Sequence, residues 1–343
     1  MARRPTVRDV AREAGVSVTT VDRALNDRLK VREETLRKIA EAARRVGYHG
    51  RALIDQKLVT LTPERRFGFV LVKRSQEFYQ QFAREIEGAL AARADIRGTA
   101  VIEYATSQSP DEFAEIISTL GPKVDALACV AVNHQKLGQV VLDLRGRGVP
   151  VFSMLNDFAQ GIRRNYVGLN NIKIGRVAAW MLTRTLRQPG KLGIFVGGNR
   201  WHGHDLREVG FRSLVRDSAP AFSVMDTLVN LETRKVTYEA TLDLLSRHAD
   251  LRGIYVAGGG MEGAIAALRE VRPPGEVALI VNELTAESSG ALADGYVQMV
   301  ISTPLDLLCR DLVAMMIEAT LQRGEAVSAQ HFLEPRIYLP EMI

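Results

Sequence analysis

The run Gly258-Gly259-Gly260-Met261-Glu262-Gly263 follows an apolar stretch, opens a helical pattern and precedes Glu283 by twenty residues. This is the spacing of a dinucleotide site, where glycines let the backbone approach a pyrophosphate and an acid holds the ribose hydroxyls. Against that reading, no Tyr/Lys or His/Asp pair nearby suits hydride transfer, and glycine-rich strand-to-helix turns arise wherever a backbone must turn tightly. A second set of residues suits a neutral polyol. Arg207, Glu283, Asn133, Asn156, Asp157 and Trp201 supply a bidentate cation, acids, amides and an aromatic face. Trp201, like Phe78, would equally suit a core or a dimer surface. His202, His204 and Asp205 lack the further ligands a metal needs. No Ser/His/Asp or Cys/His constellation sits on a nucleophile turn. Neither catalysis, a cofactor nor a metal is expected.

The elements that would position these groups begin at Phe67. Apolar runs at 67–72, 99–104, 126–132, 149–154, 192–196, 224–229, 253–257, 277–281 and 297–301 alternate with helix-length segments, the pattern of parallel sheets covered on both faces. That many strands exceed one compact unit and predict an α/β fold of two linked sheets with a cleft between them. Asn133, Asn156, Asp157 and Trp201 fall at strand ends, where open α/β sheets gather ligands. A closing helix, 305–322, carries Leu308, Leu312, Met315, Met316 and Ala319 as a core stripe, part of which could serve a dimer contact.

Ahead of this piece lies a different chemistry. Residues 1–66 hold 16 Lys and Arg against 9 Asp and Glu, net +7, so the other 277 residues are net −2 of the chain's +5. Thr6-Val7-Arg8-Asp9 has the form of a capping box, Val7, Val10, Ala11 and Ala14 recur at helical spacing, and Gly15 stops the helix. Ser17 can cap a second helix with Val21, Ala24 and Leu25 inward and Val18, Thr19, Asp22, Arg23 and Asn26 outward. A third, from about Arg32 to Val46, turns Leu36, Ile39, Ala40, Ala43 and Val46 inward and ends at Gly47. Two helices around a tight glycine turn, the second polar and carrying an Arg, form a helix-turn-helix fit for a major groove; a three-helix interaction module is the alternative. No apolar run approaches the roughly 20 residues of a membrane span, and Met1-Ala2-Arg3-Arg4-Pro5 leads into a charged pattern where a secretory signal would need an apolar core. Cys129 and Cys309 read as buried thiols. A cytoplasmic protein is expected.

The run from Thr6 to Asn26, with Val31, Thr35 and Gly47-Tyr48, resembles the headpiece of the LacI/GalR family of bacterial transcription regulators. The resemblance implies that Val18 and Thr19 read bases, with Arg23 on base edges, and that Thr6, Ser17, Thr20, Asn26, Arg32 and Thr35 contact phosphates or cap helices beside them. Asp22 stands where the family usually has Ser; it could meet a cytosine amino group or pair with Arg23 or Lys30. The family follows its headpiece with a Pro-containing hinge that wedges a Leu into the minor groove. Here Gly50 takes the Pro position, Leu53 is the wedge candidate with Leu58 next, and 59–66 reads as linker. More weakly, residues 68–72, 166–176, 203–211 and 281–285 resemble the periplasmic-binding-protein-like effector domain of the same regulators. That match puts Arg207 on the ligand-binding Arg, Glu283 in place of an effector-binding Asp, and Asn170 at another Asp or Asn of the cleft. The expected organisation is an all-α headpiece at 1–48, a hinge and linker at 49–66, and a two-subdomain effector and dimerisation domain at 67–343. The expected function is that of a homodimeric operator-binding regulator, a repressor, controlled by a sugar or polyol. A sugar-binding transport protein and a nicotinamide-dependent oxidoreductase are the alternatives.

Overall fold

A computed structural model describes residues 4–26, 31–321 and 328–343. Lys30, Gln322 and the side chain of Leu58, named above, lie outside what it describes. The chain divides into two compact units, Met1–Arg65 with Ala92–Thr99, and Arg66–Ala91 with Ala100–Ile343.

The first unit holds α1 (Val7–Ala14), α2 (Val18–Asn26), α3 (Glu33–Arg45) and α4 (Arg51–Leu61). The Asp9 carboxylate accepts from the Thr6 N–H at 2.8 Å, the acid's half of a capping box, and the Thr6 hydroxyl donates to the same carboxylate. Gly15 at φ +66 ends α1 in the left-handed region that glycine enters without a Cβ penalty. Val10, Ala11, Val21, Ala24, Leu36, Ile39, Ala40 and Ala43 close one core, with Val7, Ala14, Leu25 and Val46 packed around it. Tyr48 and Ile54 complete this core, so α4 is seated on the three-helix body. Lys57 Nζ donates to the Leu25 carbonyl at 2.9 Å, and Arg44 pairs with Asp55 at 2.9 Å. The expected linker at 59–66 is corrected: α4 runs to Leu61 and a strand starts at Glu64. The helical run continues until Pro63, which disfavours helix at the residue before it, and the Pro63 carbonyl already accepts from Arg97.

The strands are β1 (Glu64–Val72), β2 (Arg97–Ala105), β3 (Ala126–Cys129), β4 (Val151–Met154), β5 (Asn165–Leu169), β6 (Lys191–Val196), β7 (Ser223–Val224), β8 (Leu228–Val229), β9 (Leu251–Val256), β10 (Ala278–Asn282), β11 (Val297–Ser302), β12 (Ala329–Leu333) and β13 (Arg336–Tyr338). They alternate with α5 (Glu77–Ala91), α6 (Pro110–Leu120), α7 (Gln135–Gly146), α8 (Asn171–Thr185), α9 (His202–Ser218), α10 (Arg234–Arg247), α11 (Met261–Val271), α12 (Ala286–Ala293) and α13 (Leu305–Leu321). Two sheets result. One runs β12-β5-β4-β3-β1-β2; the other runs β13-β11-β10-β9-β6-β7, with β8 also on β6. The ladders β1–β3, β3–β4, β4–β5, β6–β9 and β9–β10 are parallel, and β13 runs antiparallel on β11. The α/β class with parallel sheets is therefore what the strand pattern predicts.

Two local differences have physical causes. The expected strand at 224–229 is split, because Leu192 pairs with Val224 but Phe195 pairs with Leu228, leaving one extra residue. Arg212 takes up the slack by donating to the Met225 carbonyl and the Thr227 hydroxyl, at 2.8 and 2.7 Å. Edge strands β12 and β13, polar and short, lack an apolar run to announce them. On α13, Leu308, Leu312 and Met316 are buried while Met315 and Ala319 are partly exposed. Cys129 and Cys309 are buried free thiols. No helix among the described residues is long and apolar enough to cross a membrane.

Candidate functional site: a helix face and a cleft between two sheets

In the first unit, the Ser17 hydroxyl accepts the Thr20 N–H at 3.1 Å and holds the start of α2. Val21 and Ala24 are buried, which leaves Val18, Thr19 and Arg23 exposed on the opposite side. Val18 is an apolar side chain 45% exposed at a helix start, available for contact with a thymine methyl. Arg23 makes no ion pair among the described residues. Asp22 is not paired with Arg23; it accepts from the Asn26 amide at 2.7 Å. Arg32 is exposed in extended backbone just before α3, and Thr35 is half-buried in its first turn. Thr6 and Thr20 are half-buried, Ser17 and Asn26 exposed. On α4, Ile54 faces the core while its neighbour Leu53 is 54% exposed.

In the second unit, a cleft of about 920 Å³ is lined from both sheets, a volume typical of small-molecule sites. It brings together Phe78, Asn156, Trp201, Arg207 and Glu283 of the predicted set, and adds Lys73, Tyr79, Asn171, His204, Glu232 and Asn282. Three expected residues fall outside its lining. Asn133 is exposed, with its N–H on the Arg200 carbonyl. Asp157 is committed to a buried bidentate pair with Arg163, at 2.6 and 2.7 Å, and to Ser153. Asn170 caps α8 by accepting the Lys173 N–H, and the next residue, Asn171, is the one that reaches the cleft.

Arg207 Nε donates to Asn171 Oδ1 at 2.7 Å and Nη1 to the Ala257 carbonyl at 2.6 Å. Its Nη2 has no hydrogen bond among the described residues, so the guanidinium is braced on one edge and open on the other. Glu283 accepts from the Thr303 N–H and hydroxyl, both at 2.8 Å, and from Ser302 at 3.1 Å. Burial pushes its carboxyl above the ordinary range, against the opposing pull of Thr303, Arg207 and Ser302. Asn156 spends both ends of its amide on the Gly203 N–H and the Ala131 carbonyl, so it shapes the cleft wall. Asn282 donates to the Val256 carbonyl at 2.7 Å, but its Oδ1, like the indole N–H of Trp201, is buried without a partner. Phe78 meets Tyr79 edge to face, centroids 5.2 Å apart, and supplies apolar wall.

The four glycines of 258–263 each answer a packing demand. A Cβ on Gly258 would strike His204, one on Gly259 would crowd Glu232, one on Gly260 would strike Thr237, and one on Gly263 the Arg234 carbonyl. His204 Nδ1 accepts the Gly197 N–H at 3.1 Å, which places the ring proton on Nε2, 3.7 Å from Glu232. Burial pushes the imidazole down to about 4, overriding Glu232. Burial alone would raise Glu232, yet Lys73 and the Gly259 N–H hold it below the usual range. Five of the six non-glycine residues with left-handed backbone among the described residues, Lys73, Leu155, Leu231, Glu232 and Glu283, line the cleft. Such strain collects where function requires a side chain to be presented.

Residues 6–50 match the model for bacterial regulatory proteins of the lacI family, and residues 67–325 that for a periplasmic binding protein domain. The chain belongs to the lacI family of bacterial regulatory proteins. Among its relatives are the HTH-type transcriptional regulators GalS of Salmonella typhimurium, 25% identical over 77% of this chain and 75% of that protein, and RegA of Clostridium saccharobutylicum, 27% identical over 77% of each. The fold is shared with a transporter solute-binding protein of Agrobacterium vitis bound to alpha-D-tagatopyranose, TM-score 0.73 and 17% identity over 81% of this chain and 95% of that one. As a lacI-family member the chain is a DNA-binding transcriptional regulator.

Lys73 ends a predicted strand and would have been found by the strand-end rule that found Asn156. Glu232 has no comparable signal, since it sits in an irregular loop between β8 and α10.

Proposed function

We propose that this lacI-family regulator is a cytoplasmic homodimeric repressor whose operator affinity is set by a neutral sugar or polyol in the cleft. The proposed domains are a headpiece at 1–48, a hinge at 49–66 taken up by α4 and the start of β1, and an effector and dimerisation domain at 67–343. The observation that carries the effector class is the unfilled hydrogen-bonding capacity of residues lining the cleft: the Trp201 N–H and Asn282 Oδ1 are buried without partners, and Arg207 Nη2 has no hydrogen bond among the described residues. Two donors and an acceptor left unpaired ask for a ligand group that accepts and donates at once. A hydroxyl does both, and each pairing removes a desolvation cost of about 1 to 3 kcal/mol. That the solute-binding protein of Agrobacterium vitis with this fold is bound to alpha-D-tagatopyranose supports the same class.

Thermal unfolding of the full-length protein with a panel of monosaccharides, polyols and nicotinamide dinucleotides tests this. At a hundredfold excess over its Kd the effector stabilises by about 2.7 kcal/mol, and the same compound alters binding to operator DNA selected from random fragments. Stabilisation by a dinucleotide and by none of the hydroxylated compounds would reverse the assignment.

On the DNA side, two headpieces related by the dimer axis place α2 in two half-sites. Val18, Thr19, Asp22 and Arg23 face bases, Thr6, Ser17, Thr20, Asn26, Arg32 and Thr35 fix register on phosphates, and exposed Leu53 is the wedge. Replacing Arg23 by Ala is expected to cost about 1 to 3 kcal/mol and to relax preference at one operator position. A selection experiment in which Arg23→Ala keeps the wild-type consensus would remove Arg23 from base readout.

A further inference from the structure

The Lys73–Glu232 pair joins the two halves of the cleft. Lys73 follows β1 of the first sheet; Glu232 lies between β8 and α10 of the second. The ammonium meets Glu232 Oε2 at 2.8 Å and donates to the Glu232 carbonyl at 3.2 Å. Its partner is fixed from behind: Glu232 Oε1 accepts the Gly259 N–H at 3.1 Å, and the backbone of Glu232 is tied to Asn230 at 2.8 Å. The side chains are 23% and 10% exposed, so water screens the pair weakly. Both residues, and Leu231 between β8 and Glu232, hold left-handed backbone that L residues rarely adopt, a local cost that the contact must offset. Other links between the halves near the cleft among the described residues are hydrogen bonds, from the Ala286 N–H to Glu77, from the Asn133 N–H to the Arg200 carbonyl and from the Gly203 N–H to Asn156 Oδ1; Lys73–Glu232 adds an ion pair to them.

We propose that Lys73 and Glu232 are a latch that closes the cleft in the absence of effector, so that the effector-free protein already occupies the closed arrangement. This rests on the cleft being the effector site, and adds how that site is regulated. A ligand shifts an equilibrium only by its differential affinity for the two arrangements. With the latch made, the competent arrangement is already populated and the apparent affinity approaches the intrinsic one.

The test uses no effector, so it stands or falls separately from the sugar assignment. Trp180, half exposed, is replaced by Phe, leaving Trp201, 4% exposed in the cleft wall, as the reporter. Acrylamide quenching of the full-length Trp180→Phe protein is expected to be weak. Adding Lys73→Met should raise the quenching constant severalfold and increase the radius of gyration in small-angle scattering, with an unchanged circular dichroism spectrum. The conservative Lys73→Arg, which keeps a cation that can donate to Glu232, should keep quenching weak. Strong quenching with the wild-type pair, or weak quenching that persists in Lys73→Met, overturns the latch.

Discussion

Arg207→Ala is expected to abolish the effector response while leaving operator binding without effector at the wild-type level. Arg207 is 9% exposed, lines the cleft and is anchored through Nε and Nη1, which leaves Nη2 without a hydrogen bond among the described residues. Removing one partner of a buried, charge-assisted hydrogen bond costs about 2 to 5 kcal/mol of binding, and every 1.4 kcal/mol is tenfold in Kd. At effector concentrations that saturate the wild type, the variant would be almost empty. The same truncation leaves Asn171 Oδ1 and the Ala257 carbonyl without their donors, so the protein also loses about 1 to 3 kcal/mol of stability. Lys does not repair this, because a single ammonium cannot span the two anchors and the ligand at once. The residues proposed to read bases belong to α2, in the other compact unit. Operator titrations with and without the stabilising sugar are the measurement. A response that survives in Arg207→Ala would take this residue out of the effector site.

The parts legible in the sequence are those that depend on local period. In the headpiece, inward positions three and four apart fix each helix face, and the inward set read from spacing is the one that packs. The cleft is half legible. Strand ends locate Asn156 and Trp201, but whether a side chain at such an end is free depends on partners distant in sequence. Asp157 is taken by Arg163, which also reaches Ser328 and the Ala329 carbonyl on the far edge strand. Asn170 misses by one residue, because the backbone turn into α8 needs a cap and uses the first Asn for it. The glycines at 258–263 do carry information, that something approaches the backbone closely. A pyrophosphate and a pair of side chains, His204 and Glu232, make the same demand on a missing Cβ, and spacing cannot tell them apart. Glu232 itself is presented by left-handed backbone in a loop with no period, and nothing near it in sequence marks the position.

Gly175→Ala should give the largest loss of stability of any single methyl added to this protein's helices. α8 and α9 cross with their backbones touching: a Cβ on Gly175 would overlap the Arg207 carbonyl and lie 2.9 Å from the Phe211 nitrogen, and one on Gly210 would overlap the Ile172 carbonyl. A side chain could rotate away, but a carbonyl inside a helix cannot, so the helices themselves must part. Overpacking ordinarily costs about 1 to 3 kcal/mol; with backbone on the far side the cost belongs at or beyond the upper end, against a total stability of roughly 5 to 15 kcal/mol. The damage also reaches function. Arg207 is carried on α9 at the point of contact, so moving the helices apart shifts the guanidinium off Asn171 and the effector with it. Gly88→Ala in α5 is the control, since its Cβ would meet nothing within 4 Å, and the gain in helix propensity should stabilise by about 0.5 to 1 kcal/mol. Urea unfolding of the full-length protein followed by tryptophan fluorescence should therefore move the midpoint down for Gly175→Ala and slightly up for Gly88→Ala. Equal midpoints would mean that α8 and α9 do not meet backbone to backbone, and the placement of Arg207 that follows from their contact would have to be abandoned.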